Sequence, residues 1–330
     1  MRPFEYVRAQ DVASATTAVV ATAQARFLAG GTNLLDLMKE DVEQPTRLVD
    51  ISQLPLARIQ RSRAGLSLGA LASNTETANH PLVREQYPLL SQAIVAGASG
   101  QLRNMATNGG NLLQRTRCNY FYDTAMPCNK RHAGSGCGAR EGLNRIHAIL
   151  GWSESCVATY PGDMANALYA LDANIRVRSA SGQERLMPIG DLHRLPGDTP
   201  QRDTSLEPGD LIMAIELPVS AGDFAANSYY LKVRDRASYA FAMVAVAAAL
   251  QLKGSTIVKA RIVLGSVAHK PWRSAAAEAL LTGQPANEQT FRLAAQAALR
   301  DARPLDHNAY KVELSQRSVV RALMRAAHLA

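Results

Sequence analysis

Cysteine is scarce in this sequence, with four among 330 residues. Aromatic residues make up only 5%, and there is no basic tail or aromatic-rich basic module of the kind that stacks on nucleic acid. No run of 18 apolar residues occurs, which excludes an apolar membrane-crossing helix. The opening residues, MRPFEYVRAQDVASA, lack the apolar stretch of a secretory signal, so the chain is expected to carry no export address of its own. Neither G-x-G-x-x-G nor the P-loop pattern is present at its glycine pairs. What remains is ordinary for a globular protein: 47% hydrophobic and 19% charged residues, over a length that suits two or three domains. The net charge is +8, and the positive residues are dispersed except around the cysteines. That describes a surface that resists self-association, and no nucleic-acid partner is expected.

Residues 25–40, ARFLAGGTNLLDLMKE, read as a short strand, a glycine turn and a helix, and TRLVDIS (46–52) as the next strand. LARIQRSRAGLSLGAL (56–71) predicts a hairpin turning at Ala64-Gly65, and residues 87–99 a helix ending in glycines. HAILGW (147–152) reads as an apolar strand, and residues 161–173 as a helix opened by Pro161. NIRVRS and GQERLMPI predict another hairpin, and LIMAIELP (211–218) a further strand. The Pro-, Gly- and Asp-rich stretch 194–210 reads as a loop approaching a domain boundary. After residue 222, long strands are followed by helical patterns near 273–281, 286–300 and 309–328, which argues for a separate α+β unit.

Two glycine pairs echo each other, GGTNLL at 30–35 and GGNLLQ at 109–114. Glycine admits positive φ and close approach of a ligand to the backbone. Successive N–H groups in such a turn form an anion-binding nest, and a helix starting just after it favours phosphate. Two such nests would serve the two phosphates of a dinucleotide, with Thr32, Asn33, Thr107 and Asn111 adding side-chain hydrogen bonds. Each pair taken alone reads more readily as a tight turn.

Three of the four cysteines fall within 20 residues, in the spacing Cys118-x9-Cys128-x8-Cys137-x18-Cys156. Three chemistries compete. Disulfides need an oxidising compartment. Structural zinc usually shows C-x2–4-C pairs, which are missing here. An iron–sulfur cluster takes four thiolates, at wide spacing if the fold gathers them. Arg115, Arg117, Lys130, Arg131 and Arg140 offer positive charge to an anionic thiolate site, and AGSGCGA (133–139) offers backbone N–H groups to sulfur. Both features suit zinc as well as iron.

The order of segments resembles a known family. FEY (4–6), LAGGTNLLDLMK, GALASNTE, ATNGGNLLQ, PGDMANAL, ELPVS, YLKVRDRASYAFAMVAVA and YKVELSQRSVVRAL together resemble the FAD-binding subunits of the molybdenum hydroxylases, over essentially the whole chain. QLRNMATNGGNLLQRTRCNYFYDT and PCNKRHAGSGC look most like the flavin subunits of bacterial periplasmic aldehyde oxidoreductases, which carry an added [4Fe–4S] cluster. The resemblance implies an α+β fold: a two-part FAD-binding domain (1–55 and 56–222, with the cysteine insertion at about 115–156) and a C-terminal α+β domain (223–330) of antiparallel sheet plus helices. It implies FAD contacts at Leu28, Ala29, Gly30, Gly31, Thr32, Asn33, Leu34 and Leu35. It further implies contacts at Gly97, at Thr107, Asn108, Gly109, Gly110 and Asn111, and at Asp163, Ile212 and Lys232. A cation at Lys232 would stabilise an anionic reduced flavin, and Tyr239 is a further candidate beside the ring. Cys118, Cys128, Cys137 and Cys156 are implied as ligands of the [4Fe–4S] cluster.

On this resemblance the substrate is oxidised elsewhere, on a large molybdenum-cofactor subunit. A small subunit with two [2Fe–2S] clusters completes a heterotrimer, and this chain hands electrons to an external acceptor. The expected setting is the periplasm, reached on a partner's signal, with the cytoplasm as the alternative. A benzoyl-CoA reductase-type or xanthine dehydrogenase-type flavin subunit is the nearest rival, and a cysteine-metal scaffold the rival from another class. No catalytic residue is expected. His80, His132, His147, His193, His269, His307 and His328 are scattered, and only His132 adjoins the cysteines in sequence.

Overall fold

The computed structural model describes residues 1–330. At the N-terminus β1 (Glu5–Arg8), β2 (Ala25–Leu28) and β3 (Arg47–Asp50) form a parallel sheet in the order β1-β3-β2. Parallel neighbours need crossover connections, which the helices Val12–Val20 and Leu34–Lys39 supply. Asp11 starts the first helix by exchanging hydrogen bonds with Ser14, each side chain accepting from the other's backbone N–H.

The second sheet contains β4 (Ile59–Ser62), β5 (Gly65–Gly69), β6 (Asn174–Arg178), β7 (Glu184–Pro188) and β8 (Leu211–Pro218), all antiparallel, in the order β4-β5-β8-β6-β7. Both predicted hairpins form, and Gly65 turns the first at φ +144°. Between β5 and β6 lie short helices and the cysteine segment. Two of these helices, Pro88–Ala96 and Asp163–Ala170, carry Leu89, Leu90, Ala93, Ala165 and Leu168 into the central core. Each leucine so buried contributes about 1.5–3 kcal/mol.

The third sheet, β9 (Ser228–Val233), β10 (Val244–Lys253), β11 (Thr256–Gly265) and β12 (Trp272–Arg273), is antiparallel in the order β12-β11-β10-β9. Its β10 is buried on both faces. Ala245, Ala247 and Ala249 belong to the central core, whereas Val244, Val246, Ala248 and Leu250 face the C-terminal helices Ala275–Leu281, Glu288–Ala298 and Tyr310–Ala326. Burial on two sides explains why this alanine-rich strand lacks polar alternation.

Three local expectations change. HAILGW is irregular backbone, with Ile149 and Leu150 both donating to the Val267 carbonyl. The helix after Pro161 begins at Asp163. The stretch 194–210 joins β7 to β8 inside one sheet, and is pinned by Asp203 to Arg115 and Lys130.

Candidate functional site

A cavity of about 1240 Å³ opens between the first sheet, the second glycine loop and the edge of the third sheet. It is larger than most small-molecule clefts. Leu28 to Leu35, Gly97, Thr107, Gly109, Gly110, Asn111, Asp163, Ile212 and Lys232 all line it. Asn108 does not. Its side chain is buried, bonded to Thr77, Asn74 and the Gly69 carbonyl, so it buttresses the loop from behind.

The two glycine loops turn out to be unlike. In the first, Gly31 sits at φ +71°, and the N–H groups of Gly30, Gly31, Thr32, Asn33 and Leu34 have no partner in the protein. In the second, Asn108, Gly109 and Asn111 donate to the backbone carbonyls of Ala72, Ala70 and Thr107, and Gly110 donates to Thr107 Oγ1. The expected pair of equal nests is therefore one open nest and one loop folded in as wall. The loops press together at Gly30, where a Cβ would stand 1.9 Å from the Met105 carbonyl oxygen.

At another wall Asp163, 8% exposed, accepts from Tyr230 Oη at 2.7 Å and from Lys232 Nζ at 2.7 Å. Lys232 also donates to the Ala96 carbonyl. The cation expected beside a flavin is thus paired with a carboxylate. Burial, reinforced by the Asp163 charge, pushes the Tyr230 hydroxyl far above its usual range. Tyr239 lies in the loop after β9 and is exposed at the cavity mouth at φ +50°.

The four cysteines are free and face one narrow cavity together with Phe121, Lys130 and Ala139. Cys118, Cys128 and Cys156 are buried, and Cys137 is half-buried. Cys128 and Cys137 are paired across an antiparallel bridge, which explains how a nine-residue separation closes. Burial pushes the Cys118 thiol up to about 12 and that of Cys156 up to about 11. Backbone N–H groups of Phe121 and Tyr120 act against this at Cys118, and the Lys130 cation, followed by the Ala158 N–H, at Cys156. The donors to these two sulfurs are thus not the glycine-rich AGSGCGA backbone. No three His, Cys, Asp or Glu side chains gather as one metal ion needs. Four thiols facing one cavity are the number of protein ligands that a [4Fe–4S] cluster takes.

The nearby cations are mostly neutralised. Arg115 pairs with Glu43 and Asp203, Lys130 with Asp203, Arg117 with Asp36 and Arg140 with Glu154. Arg131 instead holds the carbonyls of Tyr120, Phe121, Thr124 and Met126. Burial opposes the charge of Asp203, but Lys130 and Arg115 outweigh it and hold the carboxyl well below its usual range.

Sequence order misplaced the histidine at this site. His132 is exposed. His147, 2% exposed, sets Nε2 3.1 Å from Cys118 Sγ and also lines the large cavity. Burial, with the Lys311 cation nearby, pushes it down to about 4. Cys118 is the one cysteine that lines both cavities.

Comparison with known proteins adds to this geometry. Residues 2–220 match the family described as FAD binding domain in molybdopterin dehydrogenase, and residues 229–326 the CO dehydrogenase flavoprotein C-terminal domain. The chain belongs to the FAD-binding medium subunits of the molybdenum hydroxylases. It is 48% identical to the aldehyde oxidoreductase FAD-binding subunit PaoB of Escherichia coli strain K12, over 99% of each chain. It is 28% identical to the glyceraldehyde dehydrogenase medium chain of Sulfolobus acidocaldarius, covering 92% of this chain and 90% of that one. Among solved structures, carbon monoxide dehydrogenase from Hydrogenophaga pseudoflava superimposes with a TM-score of 0.77 at 25% identity, over 100% of this chain and 99% of that chain.

The medium-subunit cavity fits FAD on its own chemistry. Five unpartnered N–H groups at the start of the helix Leu34–Lys39 suit a pyrophosphate. Apolar Leu28, Leu35 and Ile212 and polar Asp163 line the remaining length.

Proposed function

We propose that this chain is the electron-transfer subunit of a molybdenum-dependent aldehyde oxidoreductase and carries both FAD and a [4Fe–4S] cluster. The observation that carries this reading is the adjacency of two sites: four free thiols around one cavity, with Cys118 and His147 reaching the edge of the other. The identity to an aldehyde oxidoreductase subunit over nearly the whole chain supports the substrate class.

The first glycine loop would hold the FAD pyrophosphate on its open N–H groups, and Thr107, Gly110 and Asn111 would wall the far side. Gly97, Ile212, Asp163 and Lys232 would border the flavin end. When bound, FAD exchanges electrons singly or in pairs, and the cluster exchanges them singly. The protein's own part is to fix their separation and surroundings. A large molybdenum-cofactor subunit and a small subunit with two [2Fe–2S] clusters would supply the electrons, and an external acceptor would remove them. The complex would work in the periplasm, exported on a partner's signal.

The test is anaerobic purification of the chain with flavin, iron and sulfide analysis. The reading expects one FAD with about four irons and four sulfides, and Cys118→Ser should lose iron while keeping FAD. FAD without iron would overturn the cluster assignment. Zinc without flavin would overturn the electron-transfer role altogether.

A further inference from the structure

His147 is buried between the two cavities, and nothing in the family's sequence pattern marked it. Its Nε2 stands 3.1 Å from Cys118 Sγ, and its Nδ1 is buried without a partner. A charged ring carries an N–H on both nitrogens, Nε2 included, and a neutral ring carries one, placed by its partners. Placing it on Nδ1 would leave a buried donor unmet, and would set an acceptor nitrogen against a thiolate that can only accept. With Cys118 as a thiolate ligand, the proton therefore belongs on Nε2, forming N–H···S. The ring is held from behind: the His147 carbonyl accepts from Lys311 Nζ at 2.9 Å and Asn308 Nδ2 at 3.3 Å, and its N–H donates to the Asn144 carbonyl.

We infer that His147 is a positioning residue that raises the reduction potential of the cluster through a hydrogen bond to Cys118, the ligand nearest the flavin cavity. The inference rests on the cluster reading above. The physical cause is that reduction adds negative charge to the thiolate-bound cluster, and an N–H aimed at a ligand sulfur stabilises that charge. Placed at Cys118, the bond acts on the side from which electrons pass between cluster and flavin. Lys130 acts on Cys156, whereas Cys118 is met by the backbone N–H groups of Phe121 and Tyr120 and by the oriented His147 ring.

The test is a redox titration of the anaerobically purified chain, following the reduced cluster by electron paramagnetic resonance. Gln places an amide N–H near the position of Nε2, whereas Asn reaches only as far as Nδ1. His147→Asn and His147→Leu are expected to shift the oxidised-to-reduced ratio at the wild-type midpoint at least ten-fold toward oxidised, a fall of 59 mV for a one-electron couple. His147→Gln is expected to recover most of that shift. Equal midpoints for the wild type, Gln and Asn proteins, each with full iron, would overturn the inference. If His147→Leu loses its iron, the Gln and Asn pair still decides. A wild-type chain with no four-iron cluster would instead overturn the reading on which the inference rests.

Discussion

Gly30 and Gly31 are both glycine, for different reasons. Gly30 lets two loops touch, and Gly31 takes a left-handed turn that opens the nest. Gly30→Ala drives a methyl into the Met105 carbonyl, so it is expected to cost about 1–3 kcal/mol and to weaken flavin retention at least ten-fold. Gly31→Ala is expected to cost about 1–2 kcal/mol from the backbone alone. Urea unfolding with flavin release on gel filtration separates the two. The Asp163–Lys232 pair behaves differently again, because removing one buried partner strands the other, at about 3–5 kcal/mol. Asp163→Asn leaves a buried ammonium with only neutral acceptors, whereas Lys232→Met leaves a carboxylate still bonded to Tyr230. The first is expected to destabilise more, and the double variant less than the sum, in a denaturation cycle. The motifs marked both residues, but not that each answers the other.

Among the elements, the cysteine segment is tied to the linker between β7 and β8 by one carboxylate, Asp203, shared between Arg115 and Lys130. Because its folded carboxyl is held below its unfolded value, its contribution is complete above about pH 4 and is lost as pH falls further. Asp203→Asn is expected to destabilise the chain at neutral pH. It should also remove this share of acid sensitivity, so the difference from wild type narrows below pH 4 in pH-dependent thermal melts. The linker's Pro, Gly and Asp content spoke for a loop. Nothing in its sequence tells a pinned loop from a free one, since Asp203 meets its partners 88 and 73 residues away in sequence. Two strands of the first sheet, β2 and β3, the two hairpins and the C-terminal helices were legible because apolar periodicity and turn glycines are local signals. HAILGW misread as a strand because burial alone also produces an apolar run.

For the whole molecule, Lys311 joins the C-terminal helix to the rest. It is fully buried and donates to the carbonyls of His147 and Ser266 with no carboxylate beside it. Burial pushes it down to about 7 from an ordinary value near 10.5. The unfolded chain therefore binds more protons than the folded one between those values, and stability from this group rises with pH across that window. Lys311→Met is expected to flatten that rise by a few kcal/mol. The check is guanidinium unfolding of both proteins at pH 7, 8 and 9. An equal slope in both would show that Lys311 is not the group responsible.

By itself the sequence determined the family, many of the strands in the three sheets, the two glycine loops and the set of four cysteines. Each is carried by residues close together or by a pattern spread over the whole length. Only the tertiary structure decided which glycine loop keeps its N–H groups open, that Lys232 is paired, that Asp203 pairs with Arg115 and Lys130, and that His147 rather than His132 meets a cysteine. These are pairings between residues distant in the chain. Hydrogen-bond and charge partners are chosen by proximity in space, which folding creates and residue order does not record.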